Sequence, residues 1–167
     1  MQNRHAAETP VIGAISGQLK GRIFSKPYAI AFTEDQTVFA RITQAMRNEE
    51  FVHAHKAAKS AGRGRLAQIG AQMGAAQTMH ERYLDMAVDD VLAEHERNHA
   101  VANRAVRSVS LSKPRDIIDD EDGTFYTKPP LLRLQTAGRN YKFRLDDHMN
   151  YKETKALLER VYGIRVS

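Results

Sequence analysis

His95-Glu96-Arg97-Asn98-His99 spells H-E-x-x-H. On a helix, residues i and i+4 lie on one face, so His95 and His99 would offer two imidazoles to one Zn²⁺. Glu96 would then act as general base on the metal-bound water, the chemistry of a zinc-dependent peptidase. The surrounding residues oppose this. Arg97 places a charge between the two histidines, and His99 falls where helical character gives way to alternation. A lengthened motif would need glycine at 102 and histidine at 105, where the chain has Ala102 and Ala105. Glu96 also belongs to the charged run Glu94–Arg97, a pattern typical of a solvated helix end.

Other residues with chemical potential lead no further. His53 and His55 are two apart and do not share a helix face. His5 and His148 are isolated. The absence of cysteine removes thiolate metal sites, disulfides and a thiol nucleophile. Ser16 and Ser108 have no recognisable histidine and acid partners. The Gly13–Gly21 stretch lacks the G-K-[ST] ending of a phosphate-binding loop. The expectation is a protein with no catalytic residues and no cofactor. A peptidase built on His95, Glu96 and His99 remains the alternative.

Cations are the other candidates. Arg133, Arg139, Lys142 and Arg144 cluster near the end of the chain. Together they would suit an anion or a nucleic-acid backbone. Tyr141 and Phe143 alternate with Lys142 and Arg144, so they face the other way, into a core. The net charge is +5. It is spread in blocks: basic over Arg41–Arg65, acidic over Glu81–Glu96 and Asp116–Asp122, basic again over Arg133–Arg144. Alternating blocks fit internal balance better than one nucleic-acid-binding face.

The elements that would position these residues follow from periodicity. Val11–Leu19 reads as a strand interrupted by Gly13 and Gly17, where a bulge or close approach is expected. Pro27–Thr33 and Thr37–Thr43 alternate around a polar turn and predict a hairpin. From Gln44 to about His95 helix formers dominate. A first helix would end near Ser60, before Gly62 and Gly64. A second would carry the stripe Leu66, Ile69, Met73 and Ala76, extending toward Met79 and Tyr83, and a third would run over Val88–His95. Gly70-x-x-x-Gly74 would let another helix approach closely. Val106–Leu111 reads as a strand and 114–130 as an acidic loop. Leu131–Thr136 and Tyr141–Leu145 predict a second hairpin. The last helix would start at an Asn150 cap, present Leu157, Leu158 and Val161, and end at Gly163.

The strand series around Tyr28-Ala-Ile-Ala-Phe and Val106-Arg-Ser-Val-Ser-Leu, the hairpin from Leu132 to Phe143 and the closing amphipathic helix resemble the bacterial pleckstrin-homology-like and GRAM-like domains. That resemblance implies an α+β fold, a partly open antiparallel barrel capped by a C-terminal helix. It covers 11–43 and 100–163 of a single domain spanning 1–167, with 44–95 as a helical insertion between strands. It also implies a role for Lys20, Arg22 and Lys26, because relatives bind phosphoinositide headgroups near the first hairpin.

With 42% hydrophobic and 27% charged residues, the chain has a globular composition. No apolar run is long enough to span a bilayer, and MQNRHAAETP has no apolar core of a signal sequence. The expected function is a cytoplasmic, non-enzymatic binding or scaffolding module. It would meet a protein partner or itself through the insertion, or an anionic surface through its cations.

Overall fold

The structure is a computed structural model that describes residues 9–21, 23–62, 64, 74, 78–118 and 123–166. In chain order the described elements are β1 (Gly13–Leu19), β2 (Lys26–Phe32), β3 (Gln36–Arg41), α1 (Gln44–Ser60), a 3-10 helix Met79–Asp85 and α2 (Val88–Ala93). There follow β4 (His99–Ala102), a 3-10 turn Asn103–Ala105, β5 (Val106–Leu111), β6 (Arg115–Ile118) and β7 (Phe125–Lys128). The chain continues with β8 (Leu131–Thr136), β9 (Asn140–Leu145) and α3 (Tyr151–Tyr162).

Seven strands form one sheet in the order β4-β3-β2-β1-β9-β8-β5, and every neighbouring pair is antiparallel. The two ends of the chain therefore meet in the middle, where β1 pairs β9 with Gly17 opposite Leu145. A Cβ on Gly17 would lie 2.8 Å from the Arg144 carbonyl oxygen, so only glycine allows this approach. The sheet does not close into a barrel: β4 and β5 are its edges.

Alternation decides which residues face which core. Ile15, Tyr28, Ile30, Phe32, Phe39 and the inward residues of β5, β8 and β9 form one cluster with Leu158 and Val161 of α3. Asn150 caps α3 by accepting from the Lys152 and Glu153 amides at 2.9 and 3.2 Å. Gly163 ends the helix at φ 62°, in the left-handed region where glycine is unstrained.

β2 is buried on both faces. Its small residues Ala29 and Ala31 point away from the first cluster and pack, with Val38 and Ala40, against Met79, Tyr83 and Val91. Small side chains there let the 3-10 helix and α2 lie close on the sheet. The described part of the insertion beyond residue 78 thus covers a sheet face. Gly70 and the stripe Leu66, Ile69, Met73 and Ala76 lie outside the described residues.

Three further expectations are corrected. The segment Met79–Asp85 is a 3-10 helix rather than the end of a long α-helix. The third helix stops at Ala93, before His95. The expected loop at 114–130 contains the separate two-stranded ribbon β6–β7, with Ile118 opposite Phe125 and Arg115 opposite Lys128. Acidic residues, three prolines and a glycine hid its short alternation.

Candidate functional site: a basic cleft at the first turn

Lys20 follows β1, and Lys26 opens β2 opposite Leu19. The turn between them places both ammonium groups at one end of the sheet. The β8–β9 turn brings Arg139 to the same end, where its guanidinium lies 4.9 Å from the centre of the Tyr141 ring. The turn after α2 brings Arg97. These cations line a cleft of about 570 Å³ floored by Leu19, Tyr28 and His99. Glu96 is the acid among its lining residues, 3.9 Å from the Arg97 Nε. Burial pushes the Tyr141 hydroxyl pKa up, and the Arg139 charge acts in the opposite sense.

The turn also carries Ile23 and Phe24, which are 82% and 75% exposed. Phe24 lines the cleft. Apolar side chains this exposed, rimmed by charge, are a mark of an interaction surface. Their adjacency within a basic turn was the available signal in the sequence, and strand and turn assignment passed over it.

The expected cations divide. Lys20, Lys26 and Arg139 share the cleft. Arg133 and Lys142 sit directly opposite each other on the exposed face of β8 and β9, with Arg144 two residues further on. Lys20 connects the two groups, since its amide donates to the Lys142 carbonyl at 2.9 Å. A second cleft of about 500 Å³ separates this face from β7 and includes Gln18, Lys20, Arg144 and Tyr126. Arg22 lies outside the described residues. Arg97 is the functional candidate that the sequence did not single out, because in the sequence it stands only as a charge between the two histidines of H-E-x-x-H.

The H-E-x-x-H geometry is absent. His95 and Glu96 lie in the turn after α2, and His99 begins β4. The Arg97 amide donates to His95 Nδ1 at 3.0 Å. His99 Nδ1 is 3.1 Å from the Arg97 carbonyl, which accepts only, so Nδ1 carries the proton. Nε2 is then the acceptor from the Tyr141 hydroxyl at 3.0 Å. Asn98 ties the turn down, accepting from the Arg41 amide and donating to the Val91 carbonyl, each at 2.7 Å. Among the described residues no group of three or more His, Asp or Glu is placed to hold a metal ion. No helix among them is long and apolar enough to cross a membrane.

No family model matches the chain, and no curated protein matches it. It is similar to a solved structure, the C-terminal domain of an unknown protein from Leishmania infantum, with 7% identity and a TM-score of 0.46. The likeness covers 93% of this chain and 86% of that one.

Proposed function

We propose that this protein is a non-enzymatic binding module with a pleckstrin-homology-like core, and that it takes an anionic partner in the cleft at the first turn. The observation that carries this reading is the convergence of Lys20, Lys26, Arg97 and Arg139 on one cleft beside Ile23 and Phe24. Cations bordering a low-dielectric apolar lip attract an anion more strongly than scattered surface lysines do. The antiparallel sheet bearing a C-terminal helix supports the choice of core.

The test is a titration of the full chain with vesicles containing an anionic lipid, with neutral vesicles, and with a soluble polyanion, at low and high salt. Binding to anionic probes that weakens with salt is expected. Each lysine near an anionic surface contributes about 1 kcal/mol, so Lys20→Glu with Lys26→Glu weakens it by at least roughly 30-fold. Equal binding by wild type and the double variant would remove the cleft from the account.

A further inference from the structure

One face of the sheet changes character along its width. Ala29 lies opposite Ser16, Gln18 opposite Arg144, and Arg133 opposite Lys142, so by alternation these residues share that face. Over β2 and β3 it is covered by Met79, Tyr83 and Val91. Over β8 and β9 it is bare, and Arg133, Lys142 and Arg144 are all exposed. Lys20 joins them. Its amide donates to the Lys142 carbonyl at 2.9 Å, which extends the β1–β9 register by one residue and sets Lys20 directly opposite Lys142.

Lys20, Lys142 and Arg133 therefore form a row across three adjacent strands, about 4.8 Å apart from strand to strand. Arg144 stands beside the row, two residues along β9 from Lys142. Among the described residues none of these four makes an ion pair. Like charges placed directly opposite one another work against folding, so the row is a cost to the free chain. The β6–β7 ribbon borders the same face. Tyr126, 48% exposed, and Lys128 line the cleft of about 500 Å³ that holds Gln18, Lys20 and Arg144. Asp146 and Asp147 line it too, and follow Arg144 in the chain.

We propose that this face is a second binding surface, and that its ligand is single-stranded nucleic acid. The backbone runs along the row of cations, and Tyr126 stacks on a base at its edge. The surface goes beyond the cleft at the first turn and stands on other residues, with Lys20 common to both. Charge complementarity makes the choice: unpaired cations in a line meet a chain that carries one negative charge per nucleotide. An exposed aromatic ring beside a basic groove is the sequence-tolerant means of holding unpaired bases. A lipid surface is served less well, because no large apolar side chain is exposed on β1, β8 or β9 to enter it.

The test is fluorescence anisotropy of a labelled oligodeoxythymidine of about 15 nucleotides, titrated with the full chain up to about 100 μM. Anionic vesicles are titrated in parallel. Three phosphate contacts give a slope of about −2 in log K against log salt, or about a 20-fold loss between about 50 and about 200 mM. Arg133→Glu with Lys142→Glu is expected to weaken binding by at least about as much and to flatten the slope. Lys56→Glu with Lys59→Glu, on α1, makes the same change in net charge away from the row and is expected to keep the slope. Tyr126→Ala is expected to lower affinity by at least about 5-fold with the slope unchanged, since stacking releases no counterions. All these sites are exposed, and unchanged circular dichroism confirms folding.

No binding at about 50 mM salt overturns the proposal, as does a slope that Arg133→Glu with Lys142→Glu leaves unaltered. Wild-type affinity in Tyr126→Ala overturns the single-strand ligand. Vesicle binding without oligonucleotide binding, lost in the Arg133 and Lys142 variant, gives the face to a lipid surface and overturns the nucleic acid. Oligonucleotide binding that falls with Lys26→Glu, but not with Arg133→Glu and Lys142→Glu, belongs to the cleft at the first turn. The second surface is then wrong and the anion-binding cleft stands.

Discussion

His99 stacks on Phe39 with ring centroids 5.0 Å apart while its Nε2 accepts from the Tyr141 hydroxyl at 3.0 Å. The contact joins the edge strand β4 to β9, four places along the sheet order, through side chains rather than strand pairing. It gives the second histidine of H-E-x-x-H a structural role. A neutral imidazole has one lone pair to offer a metal, and in His99 that pair is engaged by Tyr141. In His95 it is engaged by the Arg97 amide.

Elemental analysis of the purified chain is therefore expected to find no stoichiometric zinc. His95→Ala should leave stability nearly unchanged. His99→Ala should lower it by about 1–2 kcal/mol, through the lost hydrogen bond and ring stacking. One zinc per chain that disappears in His95→Ala would show that the turn rearranges into a metal site.

The Tyr83 side chain is wholly buried against β2 and β3, in the cluster that contains Ala29, Ala31 and Ala40. Tyr83→Ala is expected to destabilise the whole protein by about 3–5 kcal/mol. Ala31→Leu should cost about 1–3 kcal/mol by overfilling the same seam. Denaturant unfolding followed at the sheet and at the insertion should show one shared transition in wild type. If Tyr83→Ala loosened the insertion alone, with the sheet transition unmoved, the seam would not couple the two.

Local patterns were legible where a residue's surroundings are set by its near neighbours. Leu131–Thr136 and Asn140–Leu145 alternate cleanly because one face of β8 and β9 meets the core and the other meets solvent. Gln44–Ser60 stands out by composition, and Asn150 and Gly163 by capping chemistry. Two-sided burial is not a local property. The alanines of β2 look like the weak face of an ordinary strand until Tyr83 and Val91 are placed on them. The basic cleft is non-local in the same way: Lys20, Lys26, Arg97 and Arg139 are gathered by sheet order, and no window of sequence contains them together.

Arg133 and Lys142 are direct cross-strand partners on an exposed face. Like charges so placed repel, at a cost of about 0.2–1 kcal/mol. Arg133→Glu should stabilise the free chain by a similar small amount, and the gain should shrink in high salt. Thermal melts at two ionic strengths provide the measurement. A loss of stability would mean that the arginine stem, rather than its charge, dominates at this position.

Alkaline stability follows from two buried phenols. Burial is the leading cause that raises the Tyr83 pKa far above its ordinary 10.0, with the Glu94 charge adding to it. Burial likewise raises Tyr162, although the Thr37 hydroxyl, 2.7 Å from its oxygen, pulls the other way. In both residues the folded state holds its proton more tightly than the unfolded state. Their contribution is fully present below the unfolded value near 10 and is lost as pH rises from there toward the folded value. Unfolding free energy should therefore fall above about pH 10, by up to about 1.4 kcal/mol per pH unit for each tyrosine. Tyr83→Phe and Tyr162→Phe should each flatten that decline. Tyr162→Phe should also cost about 1 kcal/mol at neutral pH, where the hydrogen bond to Thr37 is lost and Thr37 keeps only its bond to Asn103. A decline unchanged in both variants would assign alkaline unfolding to other groups.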